Sequence, residues 1–233
     1  MNPGNRLIVA LDVASRVEVD SLLDRLAGVP SWVKVGLELF TSLGPSIVEH
    51  VAARGYSVML DLKLHDIPET VARATASVSN LGAGLCTVHA AGGRAMLTAA
   101  AESARSMRVL AVTVLTSQDE RDLEDIGARG PIETLVLRRA TLATQAGCGG
   151  VVASPAEAAS LRAVLPPDAW IVTPGVRPRG AALGDQKRVT TPAEARRSGA
   201  DLIVVGRPIR DAADPAATAQ AIIDELDLAA PTA

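Results

Sequence analysis

Ser57-Val58-Met59-Leu60-Asp61-Leu62-Lys63-Leu64-His65-Asp66-Ile67-Pro68-Glu69-Thr70 runs an apolar segment directly into a cluster of charge. The segment Ser57-Val58-Met59-Leu60 reads as a buried β-strand. Side chains alternate faces along a strand, so Asp61 and Lys63 point one way while Leu62 and Leu64 point the other. Two ionised groups therefore share one side of a buried element. Burying a charge is costly unless it is paired, hydrogen-bonded or used. A structural ion pair at a strand end meets that condition. So does a catalytic constellation, in which a cationic lysine held among carboxylates delivers a proton to a carbanion. Asp66 follows in a loop closed by Pro68 and serves either the same site or that of a neighbouring subunit.

Working outward, apolar runs of the same kind recur through the chain and alternate with Ala-rich amphipathic segments, the pattern of a parallel α/β architecture. Eight are legible: Leu7 to Leu11, Trp32 to Val35, Ser57 to Leu62, Leu85 to His89, Val109 to Leu115, Gly150 to Ala153, Ala169 to Thr173 and Leu202 to Val205. Most are short and bounded by Gly, Pro or a polar residue, as strands covered on both faces should be. Eight such strands in 233 residues fit a (β/α)8 TIM barrel. Ser154-Pro155-Ala156-Glu157 and Thr191-Pro192-Ala193-Glu194 each order a cap residue, a first-position proline and a capping-box glutamate. Asp214-Pro215 opens a last helix, Ala216 to Leu228, and the tail from Ala229 to Ala233 is expected to fray. No linker or low-complexity stretch divides the chain, so residues 1–233 are expected to form a single barrel domain.

Composition narrows the function classes. Nearly half the residues, 48%, are hydrophobic but only 2% are aromatic, so the core is built from Ala, Val, Leu and Ile. A stacking platform for single-stranded nucleic acid is excluded by the same scarcity. The net charge of −3 leaves no basic face for nucleic acid or a membrane surface, and directs attention to local basic pockets for an anionic ligand. Cys86 and Cys148 sit in or beside apolar runs with no ligand-like spacing and read as reduced core thiols, so neither a disulfide nor a metal site is expected. No signal-peptide core or membrane-length apolar stretch is present in the sequence, which makes a cytoplasmic enzyme the expectation.

Barrels of this kind carry their active site at the C-terminal ends of the strands. Asp12 follows the first run, Lys34 lies near the end of the second, and Asp61 and Lys63 close the third. An Asp–Lys–Asp–Lys array there would neutralise its own charges in a low-dielectric mouth. His89 ends the fourth run and is read as a packing residue, His65 is left outside the catalytic set, and His50 is assigned to a helix surface. Thr116 and Ser117 follow the fifth run, where their hydroxyls either meet a polar ligand edge or cap the next helix. The acidic segment Ser117 to Gly130 reads as a solvated helical excursion. After the seventh run, Thr173-Pro174-Gly175-Val176-Arg177-Pro178 leads into a loop ending Gly184-Asp185-Gln186-Lys187-Arg188, and after the eighth comes Val205-Gly206-Arg207-Pro208. The loops after strands seven and eight are the usual phosphate site of barrel enzymes. Arg207 would clamp the anion, Gln186 add a neutral hydrogen bond and Arg177 a second positive charge, with Arg179 and Arg188 as alternative clamps.

Asp61-Leu62-Lys63-Leu64-His65-Asp66-Ile67-Pro68 resembles the Asp-x-Lys-x-x-Asp-Ile-Pro signature of the orotidine 5′-monophosphate decarboxylase family. Leu11-Asp12, Lys34-Val35-Gly36, Leu115-Thr116-Ser117, Thr173-Pro174-Gly175-Val176-Arg177, Gly184-Asp185-Gln186 and Val205-Gly206-Arg207 continue the likeness in the family's order. The resemblance implies a barrel homodimer that makes UMP without metal or organic cofactor. It implies Lys63 as the proton donor, with Lys34, Asp61 and the partner chain's Asp66 completing the charged network. It assigns Asp12 and Lys34 to the ribose, Ile67 and Thr70 to the neighbouring subunit's pocket, Thr116 and Ser117 to the pyrimidine, and Arg177, Gln186, Gly206 and Arg207 to the phosphate. Related sugar-phosphate decarboxylases and hexulose-phosphate synthases share the Asp-x-Lys-x-x-Asp pattern but resemble one another in placing a carboxylate, used for magnesium, where this chain has Lys34. A catalytically silent, phosphate-binding barrel is the other alternative. It would need none of Asp61, Lys63 or Asp66.

Overall fold

The computed structural model describes residues 6–128, 130–178 and 190–229. Among them, eight strands run β1 (Leu7–Ala10), β2 (Trp32–Gly36), β3 (Ser57–Leu64), β4 (Leu85–His89), β5 (Arg108–Val112), β6 (Gly150–Val152), β7 (Trp170–Pro174) and β8 (Leu202–Val205). All pair in parallel in chain order, and β8 returns to β1, closing the barrel. Between strands lie α1 (Arg16–Leu26), α2 (Leu37–Leu43), α3 (Ser46–Ala53), α4 (Pro68–Asn80), α5 (Gly93–Ser103), α6 (Glu120–Asp125), α7 (Ile132–Gln145), α8 (Ala158–Val164) and α9 (Pro192–Arg197), and α10 (Arg207–Arg210) and α11 (Pro215–Leu228) follow the last. Each of the eight expected runs overlaps a strand, although β2, β3 and β7 end later than expected and β5 ends earlier, at Val112.

Pairing register carries one face around the barrel. Ala10 opposes Lys34, Lys34 opposes Met59, Met59 opposes Leu85, and Leu85 opposes Arg108. The lumen is packed by Ile8, Ala10, Met59, Leu85, Leu110, Val112, Val152, Val172, Leu202 and Val204. Lys34 therefore points inward, above an apolar floor. That floor uses both tryptophans: Trp32 and Trp170 open β2 and β7 and pack against the lumen cluster, and the Arg108 guanidinium lies 4.2 Å from the centroid of a Trp170 ring. Bulk closes this end of the barrel, and the charged row gathers at the other. The opposite strand faces, with Leu7, Val9, Val33, Val35, Val58 and Leu60, bury against the helices.

Helix entries follow the capping chemistry. Ser15 and Glu18 form a capping box on α1, and Thr191 and Glu194 form one on α9. Ser154 and Glu157 do so too, although the turn they cap is a 3₁₀ turn, Pro155–Glu157, that leads into α8. Asp214 caps α11, which begins at Pro215. In the acidic segment it is Asp119, with Asp122, that caps α6; Thr116 and Ser117 stay in an exposed turn. That segment is not wholly solvated, because Leu123 is buried in a cluster with Val136 and Leu161. His50 also differs from a plain surface residue: its Nε2 lies 2.6 Å from Asp20 Oδ1, tying α3 to α1. Cys86 and Cys148 are buried and unpaired, and burial pushes each thiol up to about 12. No described helix is long and apolar enough to cross a membrane.

Gly150 opens β6 where a Cβ would lie 2.3 Å from the Trp170 carbonyl oxygen, a contact that only backbone movement can relieve. Gly150→Ala should therefore cost about 1–3 kcal/mol, read as a lower Tm; an unchanged Tm would mean that β7 yields freely.

Candidate active site

Four charged side chains from three consecutive strands meet at the open end of the barrel. The Lys34 ammonium lies 3.3 Å from Asp12 Oδ1 and 3.7 Å from Asp61 Oδ2, and the Lys63 ammonium lies 2.9 Å from Asp61 Oδ1. Signs alternate along the row Asp12, Lys34, Asp61, Lys63. Side-chain exposure is 13% at Asp61, 14% at Lys34, 28% at Lys63 and 45% at Asp12, so the centre of the row is enclosed and its ends open outward. Local sequence makes room for it. A Cβ on Gly36 would lie 3.0 Å from Lys34 Nζ, and one on Gly206 would lie 3.0 Å from Asp12 Oδ2.

β3 reaches this arrangement by an irregular route. Leu60 opposes Cys86 but Leu64 opposes Val88, so β3 spends two more residues than β4 over the same stretch. Lys63 sits in the bulge with φ of +51°, a left-handed conformation that costs an L-residue about 1–2 kcal/mol. Its backbone N–H, displaced from the ladder, donates to Thr87 Oγ1 at 2.9 Å. The Thr87 hydroxyl in turn donates to Asp61 Oδ1 at 2.8 Å. Asp61 and Lys63 share one face, as strand alternation requires, but through a bulge and not a regular strand. Thr87 escapes a reading that scans strand ends; its signal is strand parity with His89, two residues on.

Burial alone would push the Asp61 carboxyl up. The charges of Lys34 and Lys63, with hydrogen bonds from Lys63 and Thr87, outweigh it and hold the group below its ordinary 3.8. Asp61 is therefore ionised at neutral pH between two ammonium groups.

The remaining expected residues arrange themselves around this row. Asp66 is exposed and accepts from the Ile67 N–H at 2.6 Å; among the described residues no ion pair joins it to Lys63 within the chain. Ile67, 66% exposed, and Thr70 in the first turn of α4 lie beside it on the same edge. Thr116 and Ser117 are exposed beyond β5. Arg177, buried after β7, donates its backbone N–H to the Thr190 carbonyl at 3.0 Å. Gly206 and Arg207 follow β8, with Arg207 opening the single turn α10. Gln186, Arg179 and Arg188 lie outside the described residues. His65 and His89 face one another with ring centroids 5.5 Å apart, and burial foremost, with His65 and Lys63 behind it, holds His89 below its ordinary value. Arg210 is a further residue at the rim: its Nη1 donates to the Asp12 carbonyl at 2.6 Å.

A closed parallel (β/α)8 barrel with an Asp–Lys–Asp–Lys row at its C-terminal mouth defines a barrel enzyme of the lysine–carboxylate class. A model of the Orotidine 5'-phosphate decarboxylase / HUMPS family matches residues 5–222, and the chain belongs to that family. An orotidine 5'-phosphate decarboxylase of Anaeromyxobacter sp. (strain K) is 53% identical over 223 residues, covering 95% of this chain and 98% of that protein. The crystal structure of orotidine 5'-phosphate decarboxylase from Lactobacillus acidophilus superposes with a TM-score of 0.87 at 35% identity, covering 96% of this chain and 99% of that one. That from Pyrococcus horikoshii OT3 gives 0.79 at 27% identity over 95% and 99%.

Because its folded-state value is lowered, Asp61 adds stability at pH values above its ordinary 3.8 and loses it as pH falls through the lower folded-state value. Urea melts between pH 6 and 3 should show a steeper acid loss for the wild type than for Asp61→Asn. Parallel curves would show that the carboxylate gains nothing from its neighbours.

Proposed function

We propose that this barrel decarboxylates orotidine 5′-monophosphate to UMP, the closing step of de novo pyrimidine synthesis, as a carboxy-lyase acting without metal or organic cofactor. The observation that carries the reading is the Asp12–Lys34–Asp61–Lys63 row, with Lys63 at its outer end and Asp61 ionised beneath it. Loss of CO2 breaks the C6–carboxyl bond and leaves its electron pair on C6, in an orbital the ring's π system cannot delocalise. A fixed cation beside C6 is then the main source of stabilisation. Lys63 supplies that charge and passes an Nζ proton to C6; the resulting neutral amine regains a proton from solvent. Asp61 holds the ammonium in place and is positioned against the substrate carboxylate, whose charge disappears with CO2.

The other assignments follow the row outward. Asp12 and Lys34 hold ribose hydroxyls, Thr116 and Ser117 meet the pyrimidine edge, and Arg177, Gln186, Gly206 and Arg207 hold the phosphate. Asp66 lies on an exposed edge with Ile67 and Thr70, which supports a homodimer in which these three complete the partner's pocket and Asp66 of the partner subunit joins the charged network. The whole of residues 1–233 forms one catalytic domain working in the cytoplasm. The Lys34 ammonium already provides the positive charge between Asp12 and Asp61, which disfavours magnesium-dependent sugar-phosphate chemistry at the same mouth.

Purified protein mixed with orotidine 5′-monophosphate in excess EDTA should lose orotate absorbance, and Lys63→Ala should slow that loss by about 10³-fold or more. Binding without turnover would return the barrel to a silent phosphate sensor, and activity only on a sugar phosphate with magnesium would move it to the other branch of the family. Orotidine, lacking the phosphate, should react with a lower kcat and not only a higher KM. Mixing inactive Lys63→Ala and Asp66→Asn proteins under exchange conditions should restore activity, because one site of each mixed dimer regains both residues. No recovery in verified mixed dimers would place each site within one chain.

A further inference from the structure

We infer that Thr87 is a positioning residue for the decarboxylation, closing a hydrogen-bonded ring that fixes the Lys63 ammonium against Asp61. The inference rests on the reading above. Thr87 stands in β4, on the strand face shared by Leu85 and His89, and is fully buried. Its hydroxyl makes two contacts whose directions are set by chemistry. The Lys63 backbone N–H is only a donor, so at 2.9 Å the Thr87 oxygen accepts. An ionised Asp61 is only an acceptor, so at 2.8 Å the Thr87 proton goes to Asp61 Oδ1. Asp61 Oδ1 also accepts from Lys63 Nζ at 2.9 Å. The path therefore runs from the Lys63 backbone through Thr87 and Asp61 to the Lys63 ammonium and closes on the residue where it began.

The ring answers two needs of the bulge. At Lys63 the β3–β4 ladder is interrupted, and the backbone is held at φ of +51°. A displaced backbone N–H must find another partner, and a left-handed non-glycine residue persists only where its surroundings hold it. Thr87 supplies that partner, and the same hydroxyl orients the carboxylate that receives the lysine. A valine in its place keeps the volume and removes both contacts. Serine keeps the donor and acceptor and loses only a methyl group.

The test compares wild type, Thr87→Val and Thr87→Ser in turnover of orotidine 5′-monophosphate, with pH profiles and Tm. Thr87→Val should lower kcat about 10- to 100-fold while KM changes within about threefold, because Thr87 lies beside the proton donor and away from the proposed phosphate end. Its acid limb should move to higher pH, since one of the bonds lowering Asp61 is lost. The groups facing Asp61 are Lys34 from β2, Lys63 from β3, and Cys86 with Thr87 from β4; His89, at the end of β4, interacts with both Lys63 and Asp61, and only Thr87 is altered. Thr87→Ser should restore kcat to within about threefold of wild type and return the acid limb. A merely structural threonine would instead lower Tm in Thr87→Val and leave kcat and the acid limb of the folded protein unchanged, which would overturn the inference. Should Thr87→Val not fold, Thr87→Cys, of similar size with a weak donor, takes its place with the same criteria. Failure of the wild type itself to turn over this nucleotide would overturn the proposed function and this inference with it; normal wild-type turnover with an unaffected Thr87→Val overturns the inference alone.

Discussion

A buried carboxylate that must stay ionised is the constraint on which the mouth of this barrel depends. Asp61 is enclosed deeply enough that burial opposes its charge, yet Lys34, Lys63 and Thr87 reverse the balance. Each comes from a different strand: Lys34 from β2 in register, Thr87 from β4, and Lys63 from β3 itself, where the strand bulges. Without the carboxylate, two ammonium groups would confront one another in a low-dielectric space. Without the ammonium groups, burial would push the carboxyl up against the single remaining hydrogen bond from Thr87. Fold and site share one electrostatic condition.

The barrel supplies the enclosure that makes this condition matter. Apolar side chains fill the lumen beneath the row, and both tryptophans seal the far end. Water reaches the charges from one side only, so each interaction there is stronger than its surface counterpart. The same floor explains why a chain so poor in aromatic residues places its indoles at the start of β2 and β7: they are the bulk packed against the lumen cluster at the end away from the charged row.

Much of this was legible in the sequence because the relevant signals are local. Short apolar runs bounded by breakers mark all eight strands, and strand ends mark Asp12, Lys34, Asp61 and Lys63. Capping boxes at Ser154 and Thr191 are local too, and both formed. What the sequence withheld depends on pairing between strands. The two-residue excess of β3 over β4 has no signature in Asp-Leu-Lys-Leu, since a regular strand predicts the same facing for both charges. Thr87 looks like a β-branched core residue in Leu-Cys-Thr-Val-His, and only the register that brings it opposite the bulge makes it a polar partner. Thr116 and Ser117 illustrate the reverse. They were equal candidates to cap a helix, but Asp119 lies closer to the helix start and has Asp122 to complete a box, so the hydroxyls were left in an exposed turn.

The row also ties the two ends of the proposed substrate together. Gly206, in the turn after β8 that leads to Arg207, approaches Asp12 so closely that a Cβ would stand 3.0 Å from its carboxylate. Arg210, at the end of the same turn, holds the Asp12 carbonyl at 2.6 Å. Asp12 in turn pairs with Lys34, and Lys34 with Asp61. On the proposed assignments, a phosphate held at Arg207 would settle against an element already in contact with Asp12, two ion pairs from Asp61, the partner of Lys63. Remote binding energy can raise kcat only if it is realised where the bond breaks. In this molecule the intervening groups are charged and mutually paired, and Lys34 is enclosed, so a shift of Asp12 would be passed to Asp61 through the shared ammonium. Under the proposed function, that contiguity would give the phosphate of the nucleotide a physical means of favouring the transition state, in addition to anchoring the substrate.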